Sequence, residues 1–413
     1  MVKSKTMNLV LVKKNFSDQT FEFVERKGKG HPDTLSDNLA EYLSAKYSQY
    51  TKSKFGAILH HNFDKVGLLG GASEVQFGYG RLTKPIRVLL NGRASTRFAD
   101  TEIDVRGLLT QWSKEFLANQ LPINPESELT FFFNLSNQSS PGKTEEKANI
   151  QKSARKYWFE PRNLNDIPEL KILRSNDTSM GVGFAPYSKL ESIVLEIEKT
   201  LNSPEFQSKN RWIGSDIKIM GCRYGNKYNL TMCIPQIASQ VKNIDDYKKN
   251  LAQAREVISK IFLENEIDDY GLDINTRDNY EKSELYLTAI GSSIESGDEG
   301  LVGRGNRIQG VITPMRPMSM EGAAGKNPVY HIGKLYYIVA QKISDTIYEK
   351  LGIQNEVVLV SQSGRELLDP WILLIHVPES YVNNGEIESL AESEVKKIPE
   401  ITQDIVNLKV SIC

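Results

Sequence analysis

The chain has 413 residues, of which 39% are hydrophobic and 25% charged, and its 51 basic residues nearly balance 52 acidic ones. This composition is typical of a globular protein large enough for two or three compact units. A net charge of −1 excludes a global field that would attract nucleic acid or an anionic membrane. We expect no membrane span, because no apolar run reaches about 18 residues. Three cysteines without metal-ligand spacing predict reduced thiols in a cytoplasmic protein.

Hydrophobic periodicity predicts three long amphipathic helices, each followed by a pair of strands. This repetition predicts a threefold α/β architecture in which helices cover one face of each sheet, although the sequence shows no internal repeat. The predicted helices cover residues 32–50, 101–120, 188–202, 245–264 and 327–351, and the predicted strands cover residues 55–61, 64–71, 85–92, 128–135, 215–222, 227–234, 355–362 and 371–377.

The segment KGKGHPD directly precedes the first predicted helix. Glycines allow a close backbone approach to a ligand, and the free amides of a helix start favour phosphate. His31 can donate a hydrogen bond to an oxygen that gains negative charge. Asp33 cannot favour phosphate directly, so its functional role would be to bind Mg²⁺ that bridges to phosphate. The alternative is a solvated loop in which Asp33 is an ordinary N-terminal helix charge.

The segment GDEGLVGRG (297–305) superficially resembles a phosphate-binding loop. The Walker pattern is not matched, because Arg304 follows Gly303 and no Ser or Thr comes next. What remains is a loop with one acid, Asp298, and two guanidiniums, Arg304 and Arg307, which suit bidentate phosphate contacts. The alternative is a mobile surface loop.

Three shorter segments add weaker signals. Lys326 in MEGAAGKNP lies just before the helix predicted from Asn327, and this repeats the arrangement of the first helix. In SDIKIMG, a strand would place Asp216 and Lys218 on one face, where they could hold a ribose hydroxyl and a phosphate. Asp177 precedes a run of small residues that could line a pocket. Ordinary capping, a surface ion pair and a plain loop are the respective alternatives.

Taken together and in this order, several segments resemble methionine adenosyltransferase (S-adenosylmethionine synthetase), with the best match to the branch typical of archaea. The segments are ERKGKGHPDTLSDNLAE, GAILHHNFDKVGLLGG, TSMGVGFAP, SDIKIMG, GDEGLVGRGNRIQGVITPMRPMSMEGAAGKNPVYHIGK and SQSGRELLDP. The resemblance runs from about Glu25 to about Pro370 and implies one composite catalytic unit over residues 1–413. Its three α/β subdomains (α+β type) would be arranged about a pseudo-threefold. They would cover approximately 1–140, 141–285 and 286–413, interleaved in sequence.

The resemblance implies a reaction and its partners. The sulfur of L-methionine would attack C5′ of ATP and expel triphosphate, which is cleaved to phosphate and pyrophosphate before release. Two Mg²⁺ ions per site are expected, and the active sites would lie at the interface of a homodimer or of a tetramer built from such dimers. Neither nucleic acid nor a membrane is an expected partner. The family's acidic ligand for a monovalent cation has no clear counterpart near Asn62, so dependence on K⁺ stays open.

Residue roles also follow from the resemblance. His31 would stabilise the departing oxygen and Asp33 would bind Mg²⁺. Lys218, Arg304 and Lys326 would hold the polyphosphate. The remaining predicted substrate-binding residues are Asp177 near the methionine amine, Asp216 and Asp298 near the nucleoside or methionine, and Arg307, Gly322 and His331.

This chain departs from the bacterial and eukaryotic pattern at several of these positions. Thr34 replaces a lysine after His-Pro-Asp, and Gly305 replaces a lysine after Arg304, where Arg307 could substitute. The bacterial and eukaryotic form has a further lysine at the position of Tyr330, and His331 or Lys334 could take over the role of that lysine. Two other functions stay open: a non-catalytic homologue that regulates or binds a true synthetase, and a tripolyphosphate hydrolase with another acceptor.

Overall fold

The computed structural model of the protein describes residues 8–16, 20–138 and 157–413. These residues form a mixed helix and sheet fold, which confirms the predicted α+β class. The expected boundary between the first two subdomains, at residue 140, lies outside the described residues. Within the described ranges, none of the helices combines the length and apolar character needed to cross a membrane. The three cysteines are free thiols, as predicted.

The helices and strands are named in chain order. The helices are α1 (Pro32–Phe55), α2 (Val105–Gln120), α3 (Lys189–Leu201), α4 (Pro204–Lys209), α5 (Ile244–Glu264), α6 (Ile332–Leu351), α7 (Gly385–Lys396) and α8 (Ile398–Val406). The strands are β1 (Leu9–Lys13), β2 (Phe21–Lys27), β3 (His61–Asn62), β4 (Gly67–Leu69), β5 (Ala72–Gln76), β6 (Tyr79–Lys84), β7 (Ile86–Ala94), β8 (Arg97–Phe98), β9 (Thr101–Glu102), β10 (Leu129–Ser136), β11 (Met180–Ala185), β12 (Lys218–Tyr224), β13 (Lys227–Cys233), β14 (Gln236–Ile237), β15 (Tyr270–Ile274), β16 (Leu287–Thr288), β17 (Glu299–Leu301), β18 (Asn355–Val360) and β19 (Ile372–Val377).

Three main sheets organise these strands. The first sheet has the order β1-β19-β18-β11, the second β10-β7-β4-β17 with β3 paired to β7, and the third β15-β13-β12-β2. Each sheet combines strands that are distant in sequence, so that β1 pairs with β19 and β2 pairs with β12. Interleaving of this kind is what the resemblance implies, whereas the limits of the three subdomains stay predictions.

Each main sheet contributes to its own hydrophobic core. Helix α6, together with α7 and α8, covers the first sheet. Helices α1 and α2 cover the second sheet, and α3 and α5 cover the third. The amphipathic faces predicted from sequence are therefore buried against the sheets, as expected from their periodicity.

Most predicted elements are confirmed, and the errors have local causes. The strand predicted at 55–61 is wrong, because α1 extends to Phe55 and ends at Gly56, whose left-handed conformation terminates the helix. The helix predicted from Asn327 begins only at Ile332, with His331 as its N-cap. The Asn327 side chain instead accepts a hydrogen bond from the backbone N–H of Val329, as in a turn.

A buried ion pair joins α1 to α6. The Nζ atom of Lys334 lies 2.8 Å and 2.6 Å from the two carboxylate oxygens of Glu41. Lys334 is 0% exposed and Glu41 5% exposed. Burial lowers the pKa of Lys334 and Glu41 opposes that shift. Either charge alone at this position would be strongly unfavourable.

We expect Lys334→Met to lower the free energy of unfolding by about 3–5 kcal/mol, because it leaves Glu41 buried without its cation. The double variant Glu41→Gln with Lys334→Met should recover part of this loss, since no uncompensated charge remains. Urea denaturation measures both effects, and Lys350→Met near the end of the same helix is the control. A single variant as stable as the control would contradict this account.

Candidate active site

The start of α1 is held close to the segment before β12. A Cβ atom on Gly28 would lie 2.5 Å from the carbonyl oxygen of Ile217, and one on Gly30 would lie 2.1 Å from Oγ of Ser215. Only glycine allows this approach. The KGKG glycines thus bring His31, at the N-cap of α1, into the electrostatic range of Lys218.

His31 is a neutral hydrogen-bond donor in this arrangement. Its Nδ1 atom accepts the backbone N–H of Asp33 at 3.2 Å, so that the proton of the neutral ring is assigned to Nε2. Burial, with a smaller contribution from Lys27 and Lys218, lowers the pKa of His31 to about 4. The ring can therefore donate through Nε2 at neutral pH without carrying a charge.

Asp33 lies in a buried contact with the glycine loop. Its carboxylate accepts hydrogen bonds from Nζ of Lys27 at 2.8 Å and from the backbone N–H of Leu301 at 3.0 Å. The same Lys27 ammonium donates to the carbonyl of Arg304 at 2.7 Å. Lys27 thus joins the predicted metal ligand to the loop that bears the predicted polyphosphate ligand.

Two further carboxylates, those of Asp216 and Asp298, lie near His31 and share one hydrogen-bond donor. The hydroxyl of Ser293 is 2.7 Å from Oδ2 of Asp216 and 3.0 Å from Oδ2 of Asp298. Asp216 is 2% exposed, and its burial raises its pKa to about 6. Lys218 is half-exposed and pairs with Glu25 at 3.1 Å. The prediction that Asp216 lies on the strand is wrong, since β12 begins at Lys218.

The two arginines of the glycine loop differ in environment. The side chain of Arg304 is exposed, as a phosphate ligand requires. The guanidinium of Arg307 is buried and donates to the carbonyls of Gly303 at 2.6 Å and Gly305 at 2.9 Å. Arg307 therefore contacts the loop backbone in this structure, which differs from the phosphate contact expected of it.

Two other predicted residues, Asp177 and His331, line a separate cavity of about 850 Å³. Its lining includes Asp64, Lys65, Asp177, Glu321 and His331. The Lys65 ammonium lies 2.7 Å from the Asp64 carboxylate. Asp177 is exposed. These side chains provide both signs of charge, as the carboxylate and amine of an amino acid would need.

Lys326 and His331 are both buried, and His331 lines this cavity. Lys326 forms an ion pair with Glu321. Burial, reinforced by Lys326 and Lys334, lowers the pKa of His331 well below its usual value, so that the ring is neutral. Lys334 itself is fully buried against Glu41. Of the two residues expected to replace the family's lysine at position 330, only His331 therefore lines the cavity.

One face of α1 connects the residues around His31 with those around Lys326. Asp33, Asp37 and Glu41 follow one another at intervals of four residues and are all buried. Asp37 accepts the backbone N–H groups of Gly303 at 2.7 Å and Gly305 at 3.1 Å, and Glu41 accepts that of Gly325 at 3.0 Å. These three carboxylates, here called the acid stripe, hold the Arg304 loop and the Lys326 loop along about 12 Å of helix.

Sequence reasoning missed the acid stripe, Lys27 and Ser293. The spacing of the stripe was a usable signal, because like charges four residues apart destabilise a helix unless other groups neutralise them. Gly322 was predicted as a substrate-binding residue. In the structure it packs on the Arg304 loop, since a Cβ at Gly322 would lie 3.0 Å from Cα of Gly303.

Comparison with known proteins identifies the family. The model of the S-adenosylmethionine synthetase (AdoMet synthetase) family matches residues 7–409. The chain belongs to the S-adenosylmethionine synthetase family. The S-adenosylmethionine synthase of the archaeon Hyperthermus butylicus is 40% identical over 96% of this chain and 96% of its own length. That of Pyrobaculum neutrophilum is 36% identical over 95% and 96%, respectively.

A solved structure agrees in fold. An S-adenosylmethionine synthetase from Campylobacter jejuni superposes with a TM-score of 0.60 over 94% of this chain and 93% of that one, at 14% identity. The family resemblance seen in the sequence is thus confirmed by the family match and by relatives that include archaeal proteins, and the solved structure agrees with the expected fold.

The donor set suits a metal ion that arrives with phosphate. Among the described residues, no three His, Cys, Asp or Glu side chains converge as a metal site. Mg²⁺ commonly keeps several waters and binds one or two carboxylates together with substrate phosphates. Asp33, buried at the helix start, would be such a carboxylate. Its surroundings therefore fit a phosphate-bridged Mg²⁺ better than a cage made of protein alone.

The burial of Asp216 predicts a pH effect on stability. Its pKa is raised to about 6 from 3.8, so the stability it contributes is present below about pH 4 and is lost as the pH rises through 6. Relative to Asp216→Asn, we expect the wild-type free energy of unfolding to fall by about 3 kcal/mol between pH 4 and pH 7. Urea denaturation at both pH values measures this, with exposed Asp100→Asn as the control. Parallel curves for wild type and Asp216→Asn would contradict the raised pKa.

Proposed function

We propose that this protein makes S-adenosylmethionine from ATP, L-methionine and water, with release of phosphate and pyrophosphate. The observation that carries the proposal is the family match over residues 7–409, a range that contains the charged residues to which the resemblance assigns roles: His31, Asp33, Lys218, Asp298, Arg304 and Lys326. The structure adds the environments of those residues. His31 and Asp33 lie with Lys27 and Lys218 at one helix start, which is the arrangement a leaving polyphosphate requires.

The chemistry follows from the bonds that change. The methionine sulfur forms a bond to C5′ of ATP while the bond from C5′ to the triphosphate oxygen breaks, and its electron pair stays on that oxygen. His31 donates from Nε2 to this oxygen as its charge rises. A donor that is already positioned lowers the barrier more than reorganising water would. Water then cleaves the triphosphate before release.

Binding roles are assigned by the same logic. Lys218, Arg304 and Lys326 hold the polyphosphate. Asp216 and Asp298 hold the ribose or the methionine. Asp33 would hold Mg²⁺, with two ions per site, and the metal would neutralise phosphate charge. Asp177 faces the cavity beside Glu321 and His331, which suits the methionine amine. Dependence on K⁺ stays open, and we assign the reaction to the cytoplasm.

We further propose a homodimer, which could pair into a tetramer, with each active site built from both chains. Two observations support this. Asp177, Glu321 and His331 line a cavity of their own, apart from the contacts that join His31, Asp33 and Arg304. In addition, Phe21, Phe23 and Tyr224 are 50%, 42% and 61% exposed on the third sheet. A partner chain would bury this apolar face.

Product analysis distinguishes this function from the others. Purified protein is incubated with ATP, Mg²⁺ and methionine, and S-adenosylmethionine, phosphate and pyrophosphate are followed. We expect all three products. Phosphate without the sulfonium product would indicate a tripolyphosphate hydrolase, and the absence of every product would indicate a binding homologue.

Substitution of His31 tests its assigned role. We expect His31→Ala to reduce sulfonium formation by at least about 100-fold, because a donor to the leaving oxygen is lost. His376→Ala, on β19 and remote from the site, is the control, and circular dichroism verifies the fold of both. Turnover near the wild-type rate in His31→Ala would show that His31 does not have the assigned role.

Mixing two inactive variants tests the shared site. A heterodimer of His31→Ala and Lys326→Ala chains would contain one intact site if His31 and Lys326 of a site come from different chains. Random exchange should then restore about one quarter of the wild-type activity. Sedimentation confirms the dimer. No recovery after proven exchange of subunits would mean that each site is built within one chain.

A further inference from the structure

The segment Gly303–Gly305 is held by its backbone from two sides. On one side, the Asp37 carboxylate accepts the N–H groups of Gly303 and Gly305, at 2.7 Å and 3.1 Å. On the other side, the Arg307 guanidinium donates to the carbonyls of the same two glycines, at 2.6 Å and 2.9 Å. The Asp37 carboxyl group and the Arg307 guanidinium thus hold both ends of a three-residue segment.

The residue between the glycines is held as well. The backbone N–H of Arg304 donates to the carbonyl of Leu301 at 3.2 Å, and its carbonyl accepts from Nζ of Lys27 at 2.7 Å. Every backbone polar group of the segment therefore has a partner, and the side-chain partners Asp37, Arg307 and Lys27 are buried. The Arg304 side chain alone extends into solvent.

The grip requires glycine at position 305. A Cβ atom there would lie 2.2 Å from Oδ2 of Asp37. The lysine that the bacterial and eukaryotic form of the family carries after its arginine would bring such an atom. The absence of that lysine and the close approach of Asp37 are thus consistent with each other in this chain.

We propose that Asp37 and Arg307 are positioning residues that fix the Gly303–Gly305 backbone and thereby aim Arg304 at the polyphosphate. The inference rests on the proposed function for the identity of the ligand. It assigns Arg307 to the support of the loop backbone instead of to direct contact with phosphate. It gives Asp37, four residues after Asp33 on the acid stripe, a role in binding without contact to the substrate.

A double-mutant cycle tests the proposal with inorganic tripolyphosphate and Mg²⁺ as the probe, measured by calorimetry on the full chain. Arg304→Ala and Asp37→Asn should each weaken binding about 10-fold to 100-fold, as is typical when the support of a ligand is removed. Because Asp37 acts through Arg304, Asp37→Asn should have little further effect, about 2-fold or less, in the Arg304→Ala chain.

Asp104→Asn is the matched control. Asp104 accepts the backbone N–H of Gly107 at 2.9 Å at the start of α2, and a Cβ on Gly107 would lie 2.2 Å from its Oδ2, as at Gly305 and Asp37. This variant makes the same carboxylate-to-amide change outside the site, where the amide oxygen can still accept from Gly107. It should leave both the unfolding midpoint and tripolyphosphate binding nearly unchanged.

Three results would overturn the proposal: losses that add fully in the double variant, wild-type binding by Arg304→Ala, or an Asp37→Asn chain that changes only in its unfolding midpoint. If Asp37→Asn does not fold, Arg307→Lys, which keeps the charge but loses the paired contacts, takes its place in the cycle. Since the probe needs neither methionine nor turnover, a failure to make S-adenosylmethionine would count against the proposed function and leave this result intact.

Discussion

The acid stripe on α1 is the interaction on which the candidate site depends. Asp37 and Glu41 each accept a backbone N–H from a loop outside regular structure, and Asp33 accepts that of Leu301 at the end of β17. A helix is rigid along its axis, so the stretch of α1 from Asp33 to Glu41 fixes the spacing between the two loops. The loops that bear Arg304 and Lys326 thus take their positions from a single element.

Burial of this stripe has an electrostatic cost that the structure offsets locally. Burial raises the pKa of Asp37 to about 7, and the N–H groups of Gly303 and Gly305 together with Arg307 oppose that shift. Lys27 neutralises Asp33, and Lys334 neutralises Glu41. Buried pairs of this kind add little net stability, but a wrong register would leave a charge without its partner. The stripe therefore contributes specificity of loop position more than stability.

The elements recovered from the sequence were those with strong local signals. Helices at 188–202 and 245–264 agree with α3 and α5 within one residue, because their apolar periodicity and N-caps are both local. The start of α6 and the segment 55–61 were mispredicted at helix ends, which the Asn327 turn and the left-handed Gly56 set. The family and fold followed from motif order, and the same motifs led to the prediction of His31, Asp33 and Arg304 as site residues.

The sequence by itself determined the class of fold, the family and the residue types available for phosphate and metal chemistry, because these depend on composition, periodicity and the order of short motifs. The tertiary structure decided which charges meet. It directed Arg307 and Lys334 to buried partners and left Arg304 exposed. It also joined Lys27 to Asp33 and placed Asp37 under the glycine loop. The partners of these side chains come from segments up to about three hundred residues apart. A linear pattern therefore does not encode which of several residues of the same type will be desolvated.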